Sequence, residues 1–211
     1  KYPNLSPYVY CANNPVRLVD VDGREIVDEN GKCCYDSQKG CWLENASINT
    51  KRIGDAMMAT EKGKEVFTSM AESNVKIQLI LSDKKVISKN RDGSWHIEFG
   101  MFECQTFRDN VGKEHMTRGF ITVYLGTIEE FVKNKDLYAF NSDSPHFILS
   151  KNKYGFSIDE IIGAVGGHEG GHATQENLDL RNSGAALDDY EAVPRQNEKS
   201  IYEELKVLHT R

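Results

Sequence analysis

Several large protein classes leave signatures that this sequence lacks. No apolar run approaches the roughly 20 residues that span a bilayer, and no leader peptide is visible. The chain opens at Lys1 rather than Met, so it reads as a piece of a longer protein and the missing leader excludes nothing. Positive charge is in deficit. Twenty-six Lys and Arg face 32 Asp and Glu, and the formal charge of −6 gives a nucleic-acid partner no support. There is no internal repeat and no low-complexity tract. The five cysteines, Cys11, Cys33, Cys34, Cys41 and Cys104, include no C-x-x-C pair. Cys33, Cys34 and Cys41 lie near enough in sequence for a hairpin disulfide, but the odd total and the lack of any sign of an oxidising compartment favour free thiols. What remains is 211 residues, 39% hydrophobic and 27% charged, enough for one domain with a real core, with or without an appendage.

The most informative stretch is Gly166-Gly167-His168-Glu169-Gly170-Gly171-His172, which contains H-E-x-x-H. On a helix, residues four apart lie one above the other. His168 and His172 can therefore offer imidazole nitrogens to one metal ion, with Glu169 beside them to take a proton from a metal-bound water. The plain alternative is two ordinary helical histidines. The glycines argue against it, because Gly163, Gly166, Gly167, Gly170 and Gly171 each cost roughly 1 kcal/mol relative to Ala in a helix. Bare backbone there leaves room for a substrate or a close-packed strand. Ser157-Ile158-Asp159-Glu160 is a capping box, and Ile161, Ile162 and Val165 continue at helical spacing, so the helix is expected from about Ile158 to about Gln175.

Around this helix the pattern is α+β. Glu25–Asp28 and Lys32–Tyr35 flank an Asn30-Gly31 turn and read as a hairpin. Asn49 or Thr50 is expected to cap a helix over about Lys51–Glu72, with Ile53, Met57, Met58, Val66, Phe67 and Met70 as its core face. Strands follow at Val75–Leu81, Val86-Ile87, Trp95–Phe107 and Gly119–Leu125, with a turn at Arg91-Asp92-Gly93. Thr127 is expected to cap a short helix to Lys133, and His146–Leu149 reads as a short strand. A last helix should start near Ala192, since Pro194 is tolerated only in a first turn. Its stripe carries Glu191, Glu198, Ile201, Tyr202, Leu205 and Leu208, whereas Glu203 and Glu204 face solvent.

The first segment is different in kind. Leu5-Ser6-Pro7-Tyr8-Val9-Tyr10, Asn14-Pro15 and Asp20-Val21-Asp22-Gly23-Arg24 resemble the C-terminal end of an RHS (YD-repeat) core domain of Bacteroidetes type. That resemblance implies a division into residues 1–24, the tail of an RHS core, and residues 25–211, a toxin domain carried as cargo of the β-cage shell. Val21 departs from the family, which usually has Pro after the Asp. The resemblance makes Asp20 and Asp22 the residues to consider for self-cleavage.

The order of helix, strands, H-E-x-x-H helix and further helix resembles the zincins. That resemblance implies a small twisted mixed sheet over the motif helix, with an edge strand that pairs with a peptide substrate. Gly119–Leu125 is a candidate edge strand, and an inner position suits it equally. A catalytic zinc usually has a third protein ligand. No G-x-x-H follows His172, and His209 is the only later histidine, so a carboxylate is expected. Glu191 stands nineteen residues after His172, a spacing similar to that of gluzincins, and Glu191-Ala192-Val193-Pro194 resembles an E-x-x-P element of metallopeptidase-like toxins. Glu198 is the alternative third ligand, with Asp179, Asp188 and Asp189 behind it.

The expectation is therefore a Zn²⁺-dependent peptide-bond hydrolase. His168, His172 and Glu191 are the metal ligands, Glu169 is the catalytic base, and Tyr154, His146, Tyr190, Tyr202 or Arg195 supplies an oxyanion donor. The RHS resemblance implies a secreted effector delivered by type VI secretion into a target bacterial cell. Its partners would be a protein or peptide substrate, a cognate immunity protein and the parent RHS shell. The alternatives are a non-catalytic, metal-stabilised binding module and a metal-dependent hydrolase of a non-protein amide such as cell wall.

Overall fold

The computed structural model describes residues 25–28, 30–89, 91, 95–134 and 152–210. The RHS-like tail, the expected strand at His146–Leu149, His146 itself and most of the Arg91-Asp92-Gly93 turn lie outside the described residues. The fold is α+β, with a four-stranded mixed sheet and six helices among the described residues.

The hairpin at the start forms in part. Strand β1 (Glu25–Val27) turns back through Gly31, whose φ of 75° is the left-handed conformation that glycine tolerates, and Val27 bridges Cys33. The Asp28 carboxylate closes the turn by accepting from the Asn30 and Lys32 amides. A ribbon of β2 (Tyr35–Asp36) and β3 (Cys41–Trp42) follows. The single helix expected over Lys51–Glu72 is two helices, α1 (Ile48–Met58) and α2 (Glu61–Ala71). Ser47, not Asn49 or Thr50, caps the first, and Thr60 caps the second. Both hydroxyls accept from the amide three residues on, the bond that satisfies an orphan donor at a helix start. Thr60 thus breaks a pattern whose apolar spacing runs straight through it.

Strands β4 (Lys76–Ser82), β7 (Gly100–Arg108) and β8 (Glu114–Tyr124) join β1 in the order β1-β4-β8-β7. The β1/β4 and β4/β8 pairs are parallel and the β8/β7 pair is antiparallel. Residues 119–124 of the Gly119–Leu125 run therefore form part of an inner strand, and Leu125 begins the next helix. The edge is β7. Each side of β8 is used, and its alternate residues Gly119, Ile121 and Val123 are buried, which a rim strand would not need. A small ribbon of β5 (Ile87–Lys89) and β6 (Trp95–Ile97) precedes β7.

Helix α3 (Leu125–Lys133) starts two residues before the expected cap. Thr127 is buried instead, and its hydroxyl accepts from the Val86 amide at 2.8 Å. The motif helix, α4 (Ile158–His172), has its capping box of Ser157 and Glu160. It ends at His172, earlier than expected, and Thr174 caps a further helix, α5 (Gln175–Asn182). The last helix, α6 (Leu187–His209), begins five residues before Ala192 and carries Pro194 in its interior. Glu204 on α6 is not simply solvated. Its two carboxylate oxygens accept from the Glu61 and Lys62 amides at 2.7 and 3.0 Å, which caps α2 and favours its positive end.

Helix α4 sits at the centre, touching α1, α2, α3, α6 and β7. It is apolar on nearly every side, the pattern of a helix buried all round. Its glycines serve that packing. A Cβ on Gly163 would stand 2.3 Å from the Ala56 carbonyl oxygen of α1, and one on Gly171 would stand 2.8 Å from Pro194 Cα of α6. Gly166, Gly167 and Gly170 abut Met57, Ile201 and Val66. The expected room for substrate or strand along this backbone is filled by three neighbouring helices.

Candidate metal centre

At the C-terminal end of α4, His168 and His172 stand one turn apart, with ring centroids 5.3 Å apart. One ligand atom each from His168, Glu169 and His172 falls within 4.8 Å of the others. From α6, Glu191 reaches into this group. Its Oε2 lies 3.4 Å from His168 Nε2 and its Oε1 lies 3.5 Å from His172 Nε2. Glu198, two turns further along α6, is on the other side of His168. Its Oε2 lies 3.0 Å from Nδ1, and the residue is completely buried. The two carboxylates weighed as third ligand thus occupy different places. Glu191 faces both Nε2 atoms, and Glu198 faces the back of one ring. Asp188 is bound to Arg195 and Asp179 to Lys113 and Gln175, and neither belongs to the cluster.

The carboxylates set the protonation. Burial alone pulls the His168 imidazole down, but its bonds to Glu191 and Glu198, with the charges of Glu198 and Glu169, outweigh that and raise its pKa to about 10. His172 goes the other way. Burial lowers it, Glu191 opposes, and the neighbouring His168 charge lowers it further. Glu191 is raised by burial yet ends below its ordinary value, because the two imidazoles and Arg195 favour its anion. Burial and the Glu198 charge push the Tyr202 hydroxyl well above the usual phenol range.

These residues suit a zinc ion. Zinc binds imidazole nitrogen and carboxylate oxygen at about 2.0–2.2 Å in tetrahedral array, so two such donors lie about 3.3–3.5 Å apart. The Nε2-to-carboxylate separations of 3.4 and 3.5 Å, each to a different oxygen of Glu191, fall in that range. Three carboxylates around two imidazoles also favour a positive charge at the centre, and two imidazoles with a carboxylate are donors that zinc accepts well.

A cleft of about 360 Å³ opens over the cluster, lined by Glu98, Gly100, Met101 and Phe102 on one side and by Arg181, Tyr190 and Glu191 on the other. Alternate residues of β7 face the helices. A Cβ on Gly100 would meet Val165 at 2.6 Å and Glu169 Oε1 at 3.0 Å, so glycine there lets the rim strand close on the Glu169 carboxylate. Two residues on, Phe102 stacks on the His172 ring, with planes 17° apart. Glu169 itself is 8% exposed, at the floor of the cleft.

Of the expected oxyanion donors, Tyr190 lines the cleft. Tyr202 is fully buried and packed on Phe156, and Tyr154 lies against Phe156 and Lys206; both are corrected to packing roles. Arg195 is engaged with Asp188 at 2.7 Å and stands 4.0 Å from Glu191. Gly100, Phe102, Asn177 and Arg181 were not singled out from sequence. Nothing in their spacing marks them: Gly100 and Phe102 come from β7 and Asn177 and Arg181 from α5, and neither element carries a motif that ties it to α4. Cys41 and Cys104 are free thiols.

No protein-family model, no curated protein and no solved structure matches the chain. The reading of the centre therefore rests on its own chemistry. No helix among the described residues is long and apolar enough to cross a membrane.

Proposed function

We propose that this chain is a zinc-dependent peptide hydrolase of zincin-like type, the toxin portion of an RHS effector. The observation that carries the proposal is the placement of Glu191 against both His168 and His172 Nε2 atoms, with Glu169 beside them at the floor of a cleft rimmed by a strand edge. His168, His172 and Glu191 would hold the zinc. Bound there, the ion would supply Lewis acidity, lowering the pKa of a bound water toward neutrality and polarising the scissile carbonyl. Glu198 accepts a hydrogen bond from His168 Nδ1–H and fixes that ring, the arrangement by which an outer carboxylate orients a ligating histidine. Glu169 accepts the proton of the attacking water and returns it to the leaving amine. Tyr190, which lines the cleft, is the candidate donor to the developing oxyanion.

The sheet supports a peptide as substrate. β7 pairs with β8 alone among the described residues, and its other edge borders the cleft at Gly100–Phe102. An extended peptide can add there through backbone hydrogen bonds. A small mixed sheet with an edge strand beside an H-E-x-x-H helix is also what the zincin resemblance implies. The resemblance of residues 1–24 to an RHS core supplies the setting. That setting is carriage in an RHS shell, type VI delivery into a target bacterium, and a cognate immunity protein in the producer.

The test is Glu169→Gln on the zinc-loaded chain. Fold and zinc content should hold while cleavage of an unstructured protein such as casein falls by about 10²–10⁴-fold, the usual share of a general base. If Glu169→Gln cleaves and kills as the parent does, the hydrolase reading is wrong. Activity on cell-wall amides but not on peptides would move the substrate to the non-protein class.

A further inference from the structure

Asn177 joins the metal centre to a break in α6. It is 5% exposed. Its Nδ2 donates to the Tyr190 carbonyl, and its Oδ1 lies 3.2 Å from His172 Nδ1. In an unbroken helix the Tyr190 carbonyl accepts from the amide of residue 194. That residue is proline, which has no amide hydrogen. Pro194 also sits against α4 at Gly171, where a Cβ would come within 2.8 Å of its Cα.

The proton bookkeeping has one solution. A carbonyl only accepts, so the Asn177 group that meets Tyr190 is the NH₂, and the group that meets His172 is the oxygen. An amide oxygen only accepts, so His172 Nδ1 must carry the hydrogen. In a neutral imidazole, Nε2 is then left with its lone pair. That lone pair faces Glu191 Oε1 at 3.5 Å, two acceptors turned towards one point.

We infer that Pro194 sets the tautomer of His172. By freeing the Tyr190 carbonyl, it orients the Asn177 amide, which holds the hydrogen on Nδ1 and leaves Nε2 to ligate a metal. Asn177 and Pro194 are positioning residues, and the inference rests on the metal reading only for its purpose. A proline thus sits inside α6 at a cost in helix stability, three residues from Glu191.

The experiment compares wild type, Pro194→Ala and Asn177→Leu. Histidine ¹⁵N shifts are read on the metal-free proteins, and zinc affinity is read by competition with a chelating dye. Wild type should show His172 with hydrogen on Nδ1. Pro194→Ala restores the amide that competes for the Tyr190 carbonyl, so its melting temperature should equal or exceed that of wild type. Its His172 should nevertheless show mixed tautomers, and its zinc affinity should be several-fold weaker. Asn177→Leu should lose the tautomer preference and weaken zinc binding by about 10–100-fold, the usual effect of removing an outer partner of a ligating histidine. A Pro194→Ala protein with unmixed Nδ1–H His172 and wild-type zinc affinity overturns the inference. If wild type shows the expected tautomer and Pro194→Ala mixes it, but no variant binds zinc, the relay stands and the metal reading fails.

Discussion

Replacing Gly163 by Ala should destabilise the protein, although helix propensity alone says the opposite. Ala gains about 1 kcal/mol over Gly in a helix interior. Against that, the added Cβ would stand 2.3 Å from the Ala56 carbonyl oxygen and 2.7 Å from its carbon. Both are backbone atoms of α1, so no rotamer change relieves them. The helices must part by about 1 Å, and overpacking of this kind costs about 1–3 kcal/mol or more in a closed core. Ile53 and Met57 of α1 and Ile162 of α4 are all completely buried, which places this contact in the upper part of that range. The expected net loss is about 2 kcal/mol, or about 4–8 °C in melting temperature for a chain of this size. Gly166→Ala is the control. It has the same propensity gain, but its Cβ meets Cγ and Sδ of Met57 at 2.9 Å, a flexible side chain that can move. That variant should stay within about 1 kcal/mol of wild type. Thermal and urea denaturation of both variants, metal-free and zinc-loaded, decide the matter. A Gly163→Ala protein as stable as wild type, or less damaged than Gly166→Ala, would falsify the close-approach account of these glycines.

Two further outcomes follow from the same geometry. Glu191→Ala should weaken zinc binding more than Glu198→Ala, which removes only an outer partner and should cost about 10–100-fold; the reverse order in a chelator competition would exchange their roles. Glu160 is held below its ordinary pKa: burial raises it, but the Ser157 amide and His209 more than compensate. A depressed folded-state pKa contributes stability above the unfolded value near 4.5, and that contribution is lost as pH falls through the lower folded value. Wild type should therefore lose more stability than Glu160→Gln between pH 5 and pH 3, and parallel curves would show that the capping carboxylate is not coupled to folding.

The local elements with strong chemical punctuation were legible in the residues themselves. Ser157 and Glu160 announce the start of α4, Asn30-Gly31 announces a turn, and His168 and His172 four apart announce a shared face. Where periodicity ran unbroken through a boundary, the sequence misled. Thr60 stops α1 from continuing into α2 by bonding Gly63, yet the apolar spacing across it is intact. Pro194 misplaced the start of α6, because the carbonyl it strands is satisfied from another helix by Asn177, a partner that sequence cannot supply.

Sequence alone therefore settled what is carried by neighbours along the chain: the motif helix, its cap, the candidate ligands and the α+β character. Only the packed structure decided which strand forms the rim, which of Glu191 and Glu198 faces both imidazoles, and why α4 is studded with glycine. Each of those depends on residues far apart in sequence. Strand order is set by which edges are buried, and the side of His168 that each carboxylate meets is set by the way α6 lies across α4. Helix spacing places Glu191 and Glu198 on one stripe, but the close approach at Gly171 and Pro194 determines where along α4 that stripe falls.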